Sequence, residues 1–415
     1  MPRMNLGTAK WCLHLSFVWV SVGVLSGCQS VTLDKPAALT TPNALGSNPD
    51  DLQVSDFALG HFHTCAMDRS ARVNCWGAGD FGQINSKARR SRSARYTLDL
   101  TATHLALGEG HSCAILADER VSCWGSPIAF GLADSTAPGP TLLDIPGKPI
   151  ALSAGALHTC VITRLDNQSK VYCAGEASAL KLGASPADED ADRQMFAKID
   201  GLGQATAIAA GSQSTCVLMD GGTVRCWGFN GYGSLGNTTL DDGNHSLVCL
   251  ERGSMFGSCR QPLEHVHLLR AGGYHACALT DERELYCWGK NDDGQVDGTD
   301  RRHRVSPVRL SRPTQVVDVA LGSGHTCALA QDGTVWCWGR NDHGQLGRGT
   351  VGEYGEPAKV VGLGNIAKIH AGSEHTCALD GNHALYCWGA NHQWQIGSPP
   401  AAELQPTPVM IASSW

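Results

Sequence analysis

Charge is scarce in this chain. Only 17 % of its 415 residues are Asp, Glu, Lys or Arg, and their formal balance is −7. A nucleic-acid binder needs a basic surplus to displace counterions, so the balance argues against that class. Long apolar runs are missing as well. None reaches the 18 or more residues that a membrane-crossing helix needs, yet 42 % apolar content argues against a disordered tail. Catalytic signatures are absent: there is no phosphate-binding loop and no His-Glu-x-x-His pair. Tyr232-Gly233-Ser234-Leu235-Gly236 lacks the first glycine of a nucleophile elbow. The Asn-Asp-x-Gly segments at 291–294 and 341–344 lack the alternating acids and closing Glu of a calcium loop, so they read as tight turns. No enzyme, cofactor or metal site is expected.

Glycine and cysteine are abundant, at 49 and 18 residues. So many cysteines persist as disulfides only in an oxidising compartment. The N-terminus agrees with export. Arg3 and Lys10 precede a mostly apolar stretch, Trp11–Leu25, and then Leu25-Ser26-Gly27-Cys28. Residues 1–27 read as a signal peptide. The last four residues resemble the lipobox of bacterial lipoproteins. That resemblance implies diacylglyceryl modification of Cys28 and cleavage before it; an ordinary signal peptide cut nearby is the alternative. Gln29 in place of the retention Asp favours the outer membrane of a Gram-negative bacterium. Residues 28–51, with Pro36, Pro42 and Pro49, form a tether rather than a domain. Loss of Arg3 and Lys10 takes the formal charge from −7 to −9.

The remainder, 52–415, is one motif written seven times. Its first cysteines are Cys65, Cys113, Cys160, Cys216, Cys277, Cys327 and Cys377. Five residues before each stands a glycine, from Gly60 to Gly372: 312 residues over six steps, a mean period of 52. The second cysteines are Cys75, Cys123, Cys173, Cys226, Cys287, Cys337 and Cys387. A Trp and a Gly follow each, except that Ala174 replaces the Trp once. Such self-similarity signals a repeat architecture.

One unit reads as strands. Val316 to Ala320 is β-rich, and Thr326 to Ala330 and Thr334 to Trp338 flank Asp332-Gly333. A three-residue hairpin loop with a left-handed Gly333 sets Cys327 opposite Cys337. Opposed positions approach closely enough for a disulfide. Seven such local links are expected, each contributing about 2–3 kcal/mol in the chain-entropy model. Zinc pairs usually stand two to four residues apart, not ten. A fourth strand is expected near 96–100, 140–145, 195–199, 262–266, 307–310, 357–361 and 408–411. Each precedes its unit in this reading, and the last is left over at the C-terminus. The fold class is therefore all-β: a seven-bladed propeller of four-stranded blades, closed by the C-terminal strand pairing with the first unit.

The repeated G-x-x-H-[TS]-C-A-L…G-x-V-x-C-W-G-x-N-x-x-G-Q-L-G resembles the repeat of the regulator of chromosome condensation family, clearest at Trp338–Gly347. The resemblance implies a seven-bladed propeller over about 52–415. The paired cysteines depart from the nuclear members and suit an exported bacterial branch.

His63, His111, His158, His275, His325 and His375 precede six first cysteines by two residues. A propeller spreads them one per blade, which favours a structural hydrogen bond over a metal or proton relay. The irregularities carry the functional leads. The fourth unit holds an insertion at about 237–261 with an eighth pair, Cys249 and Cys259, and with Leu250, Met255 and Phe256. A cross-linked loop is stiff and loses less entropy on binding; an incidental insertion competes with a recognition loop. Tyr232 and Trp394, which replaces a loop glycine, are further candidate contacts, with core packing an equal reading for Trp394. Basic runs (Lys87, Arg89, Arg90, Arg92, Arg95; Arg301, Arg302, Arg304) and an acidic one (Asp188, Glu189, Asp190, Asp192) mark solvated faces or a mosaic partner surface. The expected function is a membrane-anchored, extracytoplasmic protein-interaction scaffold. The expected partner is an envelope or extracellular protein rather than nucleic acid, and the chain is expected to be a monomer. The alternative is an inhibitor of an extracytoplasmic enzyme such as a β-lactamase, because secreted inhibitors of this propeller kind exist. An enzyme with a site across the central opening, and the guanine-nucleotide exchange of the nuclear namesake, rank below both.

Export makes one direct prediction. Wild-type protein should incorporate a radiolabelled fatty acid and Cys28→Ser should not. Equal labelling of both forms overturns the lipid anchor.

Overall fold

The computed structural model describes residues 53–84, 95–132, 139–183, 193–254, 258–397 and 403–411. Cys28, Met255, Phe256, the acidic run at 188–192 and most of the first basic run lie outside them.

Each repeat folds as an antiparallel meander. In blade 6 the strands are Val316–Leu321, His325–Ala330, Val335–Asn341 and Gly352–Lys359, ordered from the axis outward. Gly333 takes the left-handed conformation at φ 76°, and Cys327 pairs directly with Cys337. A separation of ten requires an odd-numbered loop. In blade 3 the separation is thirteen, which requires an even one. There Asp166 and Asn167, both at positive φ (51° and 59°), form a two-residue turn and Cys160 still faces Cys173. All eight expected pairs are bonded, and the seven repeat pairs hold their Cα atoms 4.1–4.2 Å apart.

Seven four-stranded blades result, in agreement with the all-β propeller expected. The first two share one long strand, Tyr96–Leu107, whose start is the outer strand of blade 1 and whose end is the innermost strand of blade 2. The phase differs from expectation. The fourth strand belongs to the unit before it: Tyr96 pairs with Cys75, Val308 with Cys287 and Val409 with Cys387. The C-terminal strand, Leu404–Met410, therefore completes blade 7 and does not pair with the first unit. Blade 4 differs in a second way. Its outer strand is Gly243–Leu247, not 262–266. The extra element is the hairpin Cys249–Arg252 with Cys259–Pro262, so part of the expected insertion is a regular strand.

The core is divided rather than central. Seven apolar clusters each lie between adjacent blades. Each Trp of the Cys-Trp-Gly motif is buried in the cluster shared with the preceding blade, as Trp124 is between blades 1 and 2. Blade 3 has Ala174 instead, and Phe130, from the short turn Pro127–Phe130 of blade 2, fills that joint. Blade 7 meets blade 1 through the same kind of cluster, joining Val54, Phe57 and Trp76 to Leu379, Leu385 and Ile411.

Around the axis the repeat glycines touch. A Cβ added to any of Gly60, Gly108, Gly155, Gly211, Gly272, Gly322 or Gly372 would lie 2.3–2.7 Å from the carbonyl oxygen of the next glycine round the ring. In the six blades with histidine it would also lie 2.2–3.0 Å from that residue's Cε1. Backbone bonds cross these joints, among them His61 N–H to Gly108 O (3.0 Å) and Ser373 N–H to His61 O (3.1 Å).

A methyl group at this ring cannot be absorbed, because backbone stands on one side. Gly155→Ala should cost about 3 kcal/mol or more by urea titration. Gly364→Ala, where a Cβ meets nothing within 4 Å, should stay within about 0.5 kcal/mol. Equal effects would contradict the close ring.

Candidate functional site

The repeat histidines form a belt between blades. Nε2 of each lies 2.8–3.1 Å from a Ser or Thr hydroxyl of the next blade: His63 to Ser112, His111 to Thr159, His158 to Thr215, His275 to Thr326, His325 to Thr376 and His375 to Thr64. Five of these hydroxyls and Thr64 alike donate onward to a loop carbonyl of the preceding blade, such as Gln83 O from Ser112 (2.9 Å) and Gln395 O from Thr64 (2.8 Å). In most joints the same carbonyl receives the indole N–H, as Gln83 O does from Trp124 (2.7 Å). A hydroxyl has one proton, so Nε2 must be the donor to it. The belt is a set of neutral imidazoles. Burial pushes His111, His158, His275 and His375 down to about 3 and His325 to about 4. Their Nε2 atoms are committed to the joints, which confirms the structural reading.

One joint is different. Blade 4 has Ser214 where the histidine would be, and blade 5 has Ala276 where the hydroxyl would be. Both partners are replaced together. The Cys249–Cys259 hairpin is rooted at this joint, with Val248 and Leu263 in its apolar cluster and Leu250 packed against it.

The meander puts the first turns and the loops after the third strands at one end of the ring; hairpin tips and blade links lie at the other. The loops of the first end are built alike. Asn230, Asn291, Asn341 and Asn391 are buried, and each Oδ1 accepts the N–H five residues on (2.8–3.4 Å). This organises the tight turn expected of these segments. Above the 4–5 joint the loops carry four packed rings. Tyr232 meets Phe229 (5.5 Å), Tyr274 (5.4 Å) and His303 (5.0 Å) edge to face. The Lys290 ammonium lies 5.4 Å and 5.9 Å from the Tyr232 and Tyr274 rings. Burial holds the nearby Asp293 carboxyl above its ordinary range, with Arg340 and Lys290 drawing it back. Further round, a cavity of about 610 Å³ opens beside Phe62, His343, Glu374, His392 and Glu403.

The axial cavity is smaller, about 300 Å³, and is lined by the innermost strands of all seven blades. Its polar groups bond across joints: Arg270 to Asp318 (3.0 Å), Lys368 to Asp56, and Ser323 to Ser373 (2.5 Å).

The sequence candidates separate. Tyr232 stands in the aromatic group. Leu250 lies at the opposite end, half-buried against the 4–5 cluster beside Leu263, and lines a groove with Asp281 and Tyr286. Trp394 sits at the seam of blades 7 and 1, since a Cβ at the matching Gly233 or Gly344 would meet the next blade's outer strand. Its φ of 64° is strained for a bulky residue. Of the second basic run, Arg304 is ion-paired to Asp297 and Arg301 lies 4.1 Å over the Tyr354 ring. Phe229 shares the loop of Tyr232 and was not singled out, whereas Tyr274 and His303 come from two separate segments of blade 5 that only the blade order brings to it.

Comparison with known proteins places the chain. Residues 96–415 match the RCC1-like domain, and 54–83 match the regulator of chromosome condensation (RCC1) repeat. The chain belongs to the RCC1-like domain family. Yeast RCC1 (Prp20), in a crystal structure bound to Kap60, superposes with a TM-score of 0.67 at 20 % identity, covering 92 % of this chain and 91 % of that one. Human WBSCR16 gives 0.66 at 20 % identity, covering 82 % and 94 %. The human E3 ubiquitin-protein ligase HERC2 is 31 % identical over 181 residues, which is 43 % of this chain but only 4 % of that protein.

The belt predicts acid sensitivity. Its imidazoles stay neutral in the fold, whereas unfolded histidines protonate below about pH 6.5. The unfolded chain then binds more protons, so stability is full above that pH and is lost as pH falls toward the folded values. Each histidine removes about 1.4 kcal/mol per pH unit in that window. Urea titrations between pH 7.5 and 4.5 should show a steeply falling unfolding free energy. A flat profile contradicts the neutral belt.

Proposed function

We propose that this propeller is a protein-binding scaffold held outside the cytoplasm by a lipid on Cys28, and that its docking surface is the loop end of the ring. The observation that carries this is the four-ring group at Tyr232. Aromatic side chains half-exposed on rigid loops, rimmed by charge, are what interface hot spots are made of. The disulfide count supports an oxidising location. The rigid ring favours binding, because little conformational entropy is lost when its loops engage. The axial cavity gives less support to catalysis, since its serines and charged groups bond to one another across blades. The same aromatic and charged patch also suits the second reading, an inhibitor covering an extracytoplasmic hydrolase cleft.

A photocrosslinking residue placed at position 232, 62 or 382 tests the assignment in native envelopes. Discrete protein adducts are expected from 232 and 62, at the loop end, and not from 382, at a hairpin tip. Adducts from 382 alone would move the docking surface to the other end.

A further inference from the structure

We propose that the loop end docks a basic segment of its protein partner, with an Arg or Lys side chain entering the cavity beside Phe62; this rests on the loop end being the docking surface. The argument is charge complementarity joined to an aromatic wall. Asp342 is already engaged: it accepts from Arg340 Nε (2.7 Å), His343 Nδ1 (2.9 Å) and Gln345 Nε2 (3.1 Å). Glu374 and Glu403 line the same cavity, and among the described residues neither has a Lys or Arg ion-pair partner. Glu374 has His343 Nε2 at 3.9 Å and lies within electrostatic reach of Arg340 and His61. Round the ring, Glu109 likewise faces an imidazole, His61, at 3.8 Å. The Phe62 and His392 rings stand 6.0 Å apart and give the cavity flat apolar surfaces. A guanidinium can stack on such a ring while its edge pairs with a carboxylate. The fold uses that combination internally, where Arg301 covers the Tyr354 ring at 4.1 Å with Glu353 at 4.0 Å. An anionic partner would meet three carboxylates, Asp342, Glu374 and Glu403, beside the single Arg340 guanidinium.

The test uses the mature full chain and fluorescent hexa-arginine, hexa-lysine and hexa-glutamate peptides, read by anisotropy at low and physiological salt. Hexa-arginine should bind and hexa-glutamate should not. Glu374→Gln/Glu403→Gln should weaken hexa-arginine by about tenfold, and Phe62→Ala should weaken it severalfold with melting unchanged. Asp99→Asn/Asp144→Asn, two exposed acids away from the cavity, should have no effect. Equal weakening by that control, or no hexa-arginine binding, overturns the proposal. Crosslinking from position 232 is read separately. Retained crosslinks with no peptide effect overturn the cationic partner alone; loss of both overturns the loop-end surface as well.

Discussion

Seven glycines in mutual contact around the axis set the geometry on which the rest of the molecule depends. Because each lacks a Cβ, the innermost strands approach until the turn of one blade bonds the turn of the next. That approach leaves a slot above each glycine just wide enough for an imidazole. In six joints the imidazole reaches a hydroxyl in the next blade, and in five of them that hydroxyl and an indole N–H share a single loop carbonyl. Steric, polar and apolar parts of a joint are thus fixed together. The joint between blades 7 and 1 is made of the same parts, so the ring closes without a sheet shared by the two ends of the chain.

The exception shows that the parts act as a unit. At the 4–5 joint both the imidazole and its hydroxyl are gone, as Ser214 and Ala276. An imidazole kept without its hydroxyl would have left a buried N–H donor without its partner, at a cost of about 1–3 kcal/mol. This joint also roots the additional hairpin at one end and carries the aromatic group at the other. Departure from the repeat is concentrated where the surface is least like its neighbours.

Much of this was legible in the sequence. The cysteine spacing set each hairpin's loop parity, and the period set the number of blades. The phase of the fourth strand was not legible, because a short apolar segment between two units reads equally well with either. Only pairings such as Tyr96 with Cys75 decide it. Gly243–Leu247 was missed for another reason: Gly-Asn-His-Ser-Leu has little strand propensity, and its neighbours on the sheet impose the conformation. The candidate surface was legible only in part. Tyr232 could be singled out by its loop, but Tyr274 and His303 come from the next blade.

The covalent links have a kinetic meaning. Among the described residues every disulfide joins cysteines ten or thirteen residues apart, within one hairpin. At that distance the correct partner has the shortest loop to close and so the highest effective concentration. If the chain enters an oxidising compartment N-terminus first, each pair can close before the next one appears. Sixteen thiols would then need little reshuffling, and the order of entry would itself select the pairing.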